Sequence, residues 1–236
     1  MSARQPLDNP MWAALTGPQQ SFALGAGAVR RYPREIAPFV AVERAGVEAR
    51  ATLDALVAPG ESVYVVAIAP AWPGDWQVVA TGTILQMTCV QPPRQATAPG
   101  DWRALDDADL PEMLALTALV YPEFFRERTR ELGRYLGIHR PGVLAAMAGE
   151  RLAVEGHVEI SAVCTHPDHT GRGHAAQLMT ALVHDIAARG KTPFLHVSDH
   201  NQRAIDLYAR LGFVERRRLP LWKVRRALSG AAVASG

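Results

Sequence analysis

Residues 160–176 read Ile-Ser-Ala-Val-Cys-Thr-His-Pro-Asp-His-Thr-Gly-Arg-Gly-His-Ala-Ala, an apolar strand that runs through a proline turn into a glycine-rich loop opening a helix. No other stretch constrains the fold as strongly, because a strand that feeds a helix N-terminus builds an anion site. Several backbone N–H groups there lack intrahelical acceptors, and the helix dipole adds a partial positive charge, so a diphosphate is held without any cationic side chain. Gly171 and Gly173 supply the backbone freedom that such a loop requires.

A Gly-x-Gly pair alone is weak, and the downstream context strengthens it. Leu178, Met179, Leu182, Val183 and Ile186 recur at helical spacing, Gly190 marks a stop, and residues 193–197 read as a short strand. Asn201, Ala204, Tyr208, Gly212 and Phe213 follow. In these residues the chain resembles the GNAT superfamily of acetyl-CoA-dependent N-acetyltransferases. Gly173 and Ala175 match the last two defined positions of the family's Arg/Gln-x-x-Gly-x-Gly/Ala loop, with Pro167 at the preceding turn. Thr170 departs from the pattern, standing where Arg or Gln is usual. The family's Asn-x-x-Ala-x-x-x-Tyr-x-x-x-Gly-Phe stretch is matched from Asn201 to Phe213.

The resemblance implies a mixed α/β fold that binds acetyl-CoA as acyl donor and transfers its acetyl group to a primary amine by direct attack in a ternary complex. It places the diphosphate on the backbone of Thr170, Gly171, Arg172, Gly173, His174, Ala175 and Ala176, and the pantetheine arm along the main chain of Val163, Cys164 and Thr165. Asn201 is expected at the pantetheine or an ordered water. Tyr208 matches the residue commonly assigned as the acid that protonates the leaving thiolate; by periodicity alone it reads as a packing partner of Ala204 and Leu211. Glu159 lies eleven residues before Thr170, at a position where protein-acetylating branches carry a Glu, and is the expected base. The other reading of Glu159 is a strand carboxylate that faces outward or pairs with an Arg, since a charge inside the apolar run from His157 is costly without a partner. Cys164, His166 and His169 lack zinc-site spacing, and no metal is expected. A catalytically weak acyl-CoA-binding sensor or interaction module is the alternative function.

With 236 residues and 48% apolar content, the chain has room for a small and a larger globular unit. A net charge of +2, from 25 basic and 23 acidic side chains, argues against nucleic acid as a partner. No apolar run approaches a membrane span, and two cysteines, Cys89 and Cys164, are too few for a disulfide framework, so a cytoplasmic location is expected. The expected partner is a small-molecule amine or a protein or peptide amine, with a homodimer left open. Residues 1–89 are read as an accessory α/β domain with a helix at 50–57 and strands at 62–69 and 77–88. Residues 90–100, with three prolines, are read as a linker. Residues 101–226 form the expected GNAT-like domain, and 227–236 a disordered tail. Within 101–226 the pattern predicts a strand at 102–105, a helix beginning near Pro111, and a charge-laced second helix over 124–136. Strands at 142–147, 151–154 and 157–165 precede the Gly loop, and strands at 213–217 and 221–224 close the domain. The amine site is expected over about 107–136. The whole chain is expected to bind one donor molecule, and a chain beginning near Gly100 to keep CoA binding while losing acceptor selectivity or solubility.

Overall fold

The computed structural model describes residues 5–92 and 101–228. Most of the expected linker and of the expected tail lies outside those residues. The fold is mixed α/β, and its described residues fall into two compact units, one from 5–33, 38–83 and 219–228 and the other from 34–37, 84–92 and 101–218.

In the first unit, the strands β1 (Val29–Arg31) and β2 (Val40–Val42) pair antiparallel. The helices α1 (Pro10–Leu15) and α2 (Arg50–Leu56) and the strand β3 (Ser62–Val66) accompany them. Val29, Val40, Val42, Leu53, Val63, Val65 and Trp76 form its core. The strand β4 (Trp76–Thr88) and the last strand, β10 (Val214–Arg226), each contribute residues to both units. Ile84–Thr88 therefore counts with the second unit and Leu219–Arg226 with the first, opposite to the expected boundaries. β10 pairs with β3 at residues 221–225, within the first unit, and β4 pairs with β9 (Thr192–Ser198) at residues 84–88, within the second.

The second unit continues through β5 (Trp102–Ala104), α3 (Leu110–Val120), β6 (Tyr135–Arg140), β7 (Val143–Val154), β8 (His157–Thr165), α4 (His174–Ala188) and α5 (Gln202–Arg210). Its strands lie in the order β4-β9-β8-β7-β6-β5, antiparallel except between β8 and β9. Alternating side chains serve two cores. Leu136, Ile138, Ala146, Ala148, Val158 and Ile160 meet the apolar stripe of α4. Tyr135, Met147 and Cys164 meet Met113 and Leu116 of α3.

Two expectations over this unit are corrected. The stretch 124–136 is not a helix: it forms turns, a short 3-10 helix at Thr129–Leu132, and the start of β6. Arg128 pairs with Glu131 within it, Arg130 and Arg134 pair with the distant Asp107 and Asp185, and the Thr129 hydroxyl accepts from the Arg126 N–H and donates to the Ile36 carbonyl. Residues 135–138 alternate into the two cores as strand residues do. The strands expected at 142–147 and 151–154 are one strand, as are those at 213–217 and 221–224. Among the described residues, no helix is long and apolar enough to cross a membrane.

Candidate functional site

β8 and β9 run parallel, and their pairing is confined to His157–Glu159 against Thr192–Phe194. Beyond Glu159, β8 stays with β7, pairing Cys164 with Met147 and Thr165 with Ala146. Among the described residues, the edge of β8 that faced β9 is thus left without strand partners over residues 163–165. A bulge lies in the same stretch: Ser161 to Cys164 on β8 oppose Gly149 to Met147 on β7, so that β8 carries one extra residue. Ala162 takes it up at φ 51°, a left-handed conformation that costs a non-glycine residue about 1–2 kcal/mol.

β8 then enters the turn at Pro167–His169, closed by the Thr170 hydroxyl donating to the Pro167 carbonyl at 3.0 Å. Gly171 and Gly173 follow at φ 76° and 78°, which explains why glycine stands at both. The space where their Cβ atoms would sit is open. Gly173 is also the N-cap of α4 and has no side chain to cap it, so the N–H groups of His174, Ala175 and Ala176 face the loop without intrahelical acceptors. Gln177 is the first residue whose N–H closes onto the helix, to the Gly173 carbonyl at 3.1 Å.

The unpaired β8 edge, the loop, the start of α4 and one side of α5 line a single cleft of about 530 Å³. Of the expected residues, it brings together Val163, Thr165, Thr170, Gly171, Arg172, Gly173, His174, Ala175, Ala176, Asn201 and Tyr208. Sequence reasoning missed Leu119 and Val120 at the end of α3, which nothing local to them marks. It also missed Arg203, Leu207 and Arg210. These three share the helical spacing of a single α5 face, which was the available signal.

Asn201 caps α5, its Oδ1 accepting from the Ala204 N–H at 3.2 Å. The Tyr208 ring packs against Phe213 with 6.1 Å between centroids, and the residue lines the cleft. Burial pushes its phenol above the ordinary range, so the hydroxyl stays protonated. The Cys164 side chain lies away from the cleft, on the α3 side of the sheet, and burial pushes its thiol up to about 12. The thiol is therefore no nucleophile, and only the Cys164 main chain borders the unpaired edge.

Glu159 does not line the cleft, which corrects its expected role as a base. It is fully buried and accepts from Arg151 at 2.9 and 2.7 Å and from His196 Nδ1 at 2.7 Å. Burial pushes its carboxyl up, but the Arg151 charge and the hydrogen bonds from His196 and Arg151 outweigh it and hold the group at about 2. A carboxylate so held is a poor proton acceptor at neutral pH. The arrangement extends across the sheet. Arg216 donates to Gln86 Oε1 at 2.8 Å, turning the Gln86 amide nitrogen to His196 Nε2 at 3.0 Å. His196 therefore accepts at Nε2 and carries its proton on Nδ1, toward Glu159. This chain of bonds joins β4, β9, β8 and β7 where β8 and β9 begin to part.

Cys164, His166 and His169 do not gather as metal ligands. Asp109, Glu112 and His139 bring ligand-type atoms within 4.8 Å of one another, but both Asp109 oxygens are already held by Arg103, at 2.8 and 2.5 Å, and the trio lies outside the cleft.

Residues 135–222 match the family model described as FR47-like protein. No curated protein matches the chain in sequence. Among solved structures, the chain is similar to an acetyltransferase of the GNAT family from Novosphingobium aromaticivorans, at 33% identity and a TM-score of 0.86, over 95% of this chain and 100% of that one. It shares the fold of a GCN5-related N-acetyltransferase-like protein from Streptococcus suis, at 16% identity and a TM-score of 0.57, over 91% of this chain and 92% of that one. It likewise shares the fold of a GCN5-related N-acetyltransferase from Kribbella flavida, at 18% identity and a TM-score of 0.57, over 94% and 96%.

Proposed function

We propose that this chain, which belongs to the GNAT family of acetyltransferases, transfers the acetyl group of acetyl-CoA to a primary amine by direct attack. One observation carries the reading: an unpaired strand edge and an uncapped helix N-terminus open onto the same cleft. A diphosphate suits the N–H groups from Gly171 to Ala176, and an amide-bearing pantetheine arm suits the free edge at Val163–Thr165, where it would pair as a strand does. Open space before Gly171 and Gly173 leaves room for the approach.

Transfer requires the amine nitrogen to bond the thioester carbonyl carbon while the carbon–sulfur bond breaks. The nitrogen loses a proton and the thiolate gains one. The Tyr208 phenol lines the cleft and is protonated at neutral pH, and we assign it as donor to the thiolate. The burial that raises its phenol also raises the basicity of a thiolate beside it, which keeps donor and acceptor matched. With Glu159 closed off, the amine proton leaves through water. The acceptor, a small-molecule amine or a protein or peptide amine, is assigned to the side formed by residues 107–136, where Tyr121 and Phe124 stack at 5.0 Å.

Tyr208→Phe removes the proton and keeps the ring. Steady-state kinetics with acetyl-CoA and a panel of amines should show kcat lowered about 100-fold, while calorimetric CoA affinity changes little. An unchanged kcat in the variant would return Tyr208 to a packing role.

A further inference from the structure

We propose that the imidazole of His174 binds the donor diphosphate in its protonated form, so that donor binding takes up a proton; this rests on the acyl-CoA reading above. His174 is the first residue of α4, is 5% exposed, and lines the cleft. Both of its ring nitrogens are buried without a hydrogen-bond partner among the described residues. Each such group lowers stability by a penalty that an apolar side chain at the same position would avoid. The family's loop pattern leaves this position undefined, so the pattern does not account for a histidine there. What accounts for it is a ligand that meets the ring.

The surroundings specify the sign of that ligand. Arg140 at the end of β6 and His169 and Arg172 of the loop act on the imidazole as positive charges, with Asp101, ahead of β5, as the opposing charge. Asp101 is itself engaged by Arg140 at 3.2 Å. In the free protein, burial first, and then Arg140, His169 and Arg172, hold the imidazole below its ordinary pKa, so it is neutral at pH 7. The positive end of α4 acts in the same direction. A diphosphate on the adjacent N–H groups reverses the local field and favours the imidazolium, which can donate from a ring nitrogen to a phosphate oxygen. The complex then holds a proton that the free protein lacks. By linkage, affinity rises as pH falls through the window between the bound and free pKa values, and levels off below the free one.

The test is calorimetry of CoA and of dephospho-CoA, which lacks the titrating 3′-phosphate, in buffers of differing ionisation heat. Wild type should take up a large fraction of a proton with either ligand near neutral pH, and His174→Asn none. Between about pH 6 and pH 8, wild-type affinity should fall about tenfold more than that of the variant. If His174→Asn does not fold, the imidazole carbon-bound protons of the wild type decide. One histidine that survives His169→Asn should titrate below pH 6.5 alone and above it with dephospho-CoA. Binding without proton uptake, uptake undiminished in His174→Asn, or uptake lost with dephospho-CoA overturns the proposal while leaving the acyl-CoA reading intact. Failure of CoA to bind at any pH overturns both.

Discussion

At Glu159, water is replaced by hydrogen bonds from Arg151 and His196, and the exchange has a pH signature. The carboxyl sits at about 2 in the fold against 4.5 in the open chain, so the unfolded state binds its proton more readily. The pair therefore stabilises the fold fully above about pH 4.5, and that contribution is lost as pH falls toward 2. Glu159→Gln leaves Arg151 buried without its counter-charge and should cost about 3–5 kcal/mol in urea denaturation at neutral pH. The gap from wild type should narrow on acidification. A variant of wild-type stability whose kcat/KM is depressed at low pH and recovers at high pH would reinstate Glu159 as the base. An ion pair with an Arg was one of the readings open from the sequence, since a charge in an apolar run demands a partner. That the partner is Arg151 was not legible, because bringing residues eight apart together depends on the turn between β7 and β8.

Among the elements, α4 begins where its sequence says it must. Gly173 at φ 78° is tolerated by few side chains, so Gly173→Ala should cost about 1 kcal/mol in thermal or urea unfolding. Gly173→Glu should in addition abolish CoA binding by placing a carboxylate before the helix N-terminus, which calorimetry on the folded variant would show. Helices α4 and α5 and the loop between β8 and α4 were readable because periodicity, glycine placement and family pattern agree there. The stretch 124–136 misled because its charges satisfy the i,i+3 spacing of a helix, and Arg128–Glu131 does pair at that spacing within turns. β7 was read as two strands because Gly149-Glu150-Arg151 interrupts the apolar run. In the fold those charges are buried by partners, Glu150 by Arg189, remote in sequence, and Arg151 by Glu159 on the next strand. The Ala162 bulge left no trace in composition, since alanine seldom adopts that conformation.

For the whole molecule, the two long strands decide what can be cut. A chain beginning near Gly100 was expected to keep CoA binding while losing acceptor selectivity or solubility, but it would also lose residues 84–88, the antiparallel partner of β9, and with them Gln86 from His196. Such a chain should be insoluble or fail to bind CoA, and recovery of a soluble chain that binds CoA with wild-type affinity would show that β9 tolerates the loss. One donor per full chain remains the expected stoichiometry in titration, since the donor cleft belongs to one unit. The parting of β8 from β9 also makes the protein its own unfinished sheet, with a bare edge in the interior of the strand order rather than at its rim. A bound donor would finish it. Backbone amides on that edge should then exchange with deuterium quickly in the empty protein and slowly in the loaded one, and acetyl-CoA should act during expression and storage as a shield against strand-to-strand aggregation, independent of any turnover.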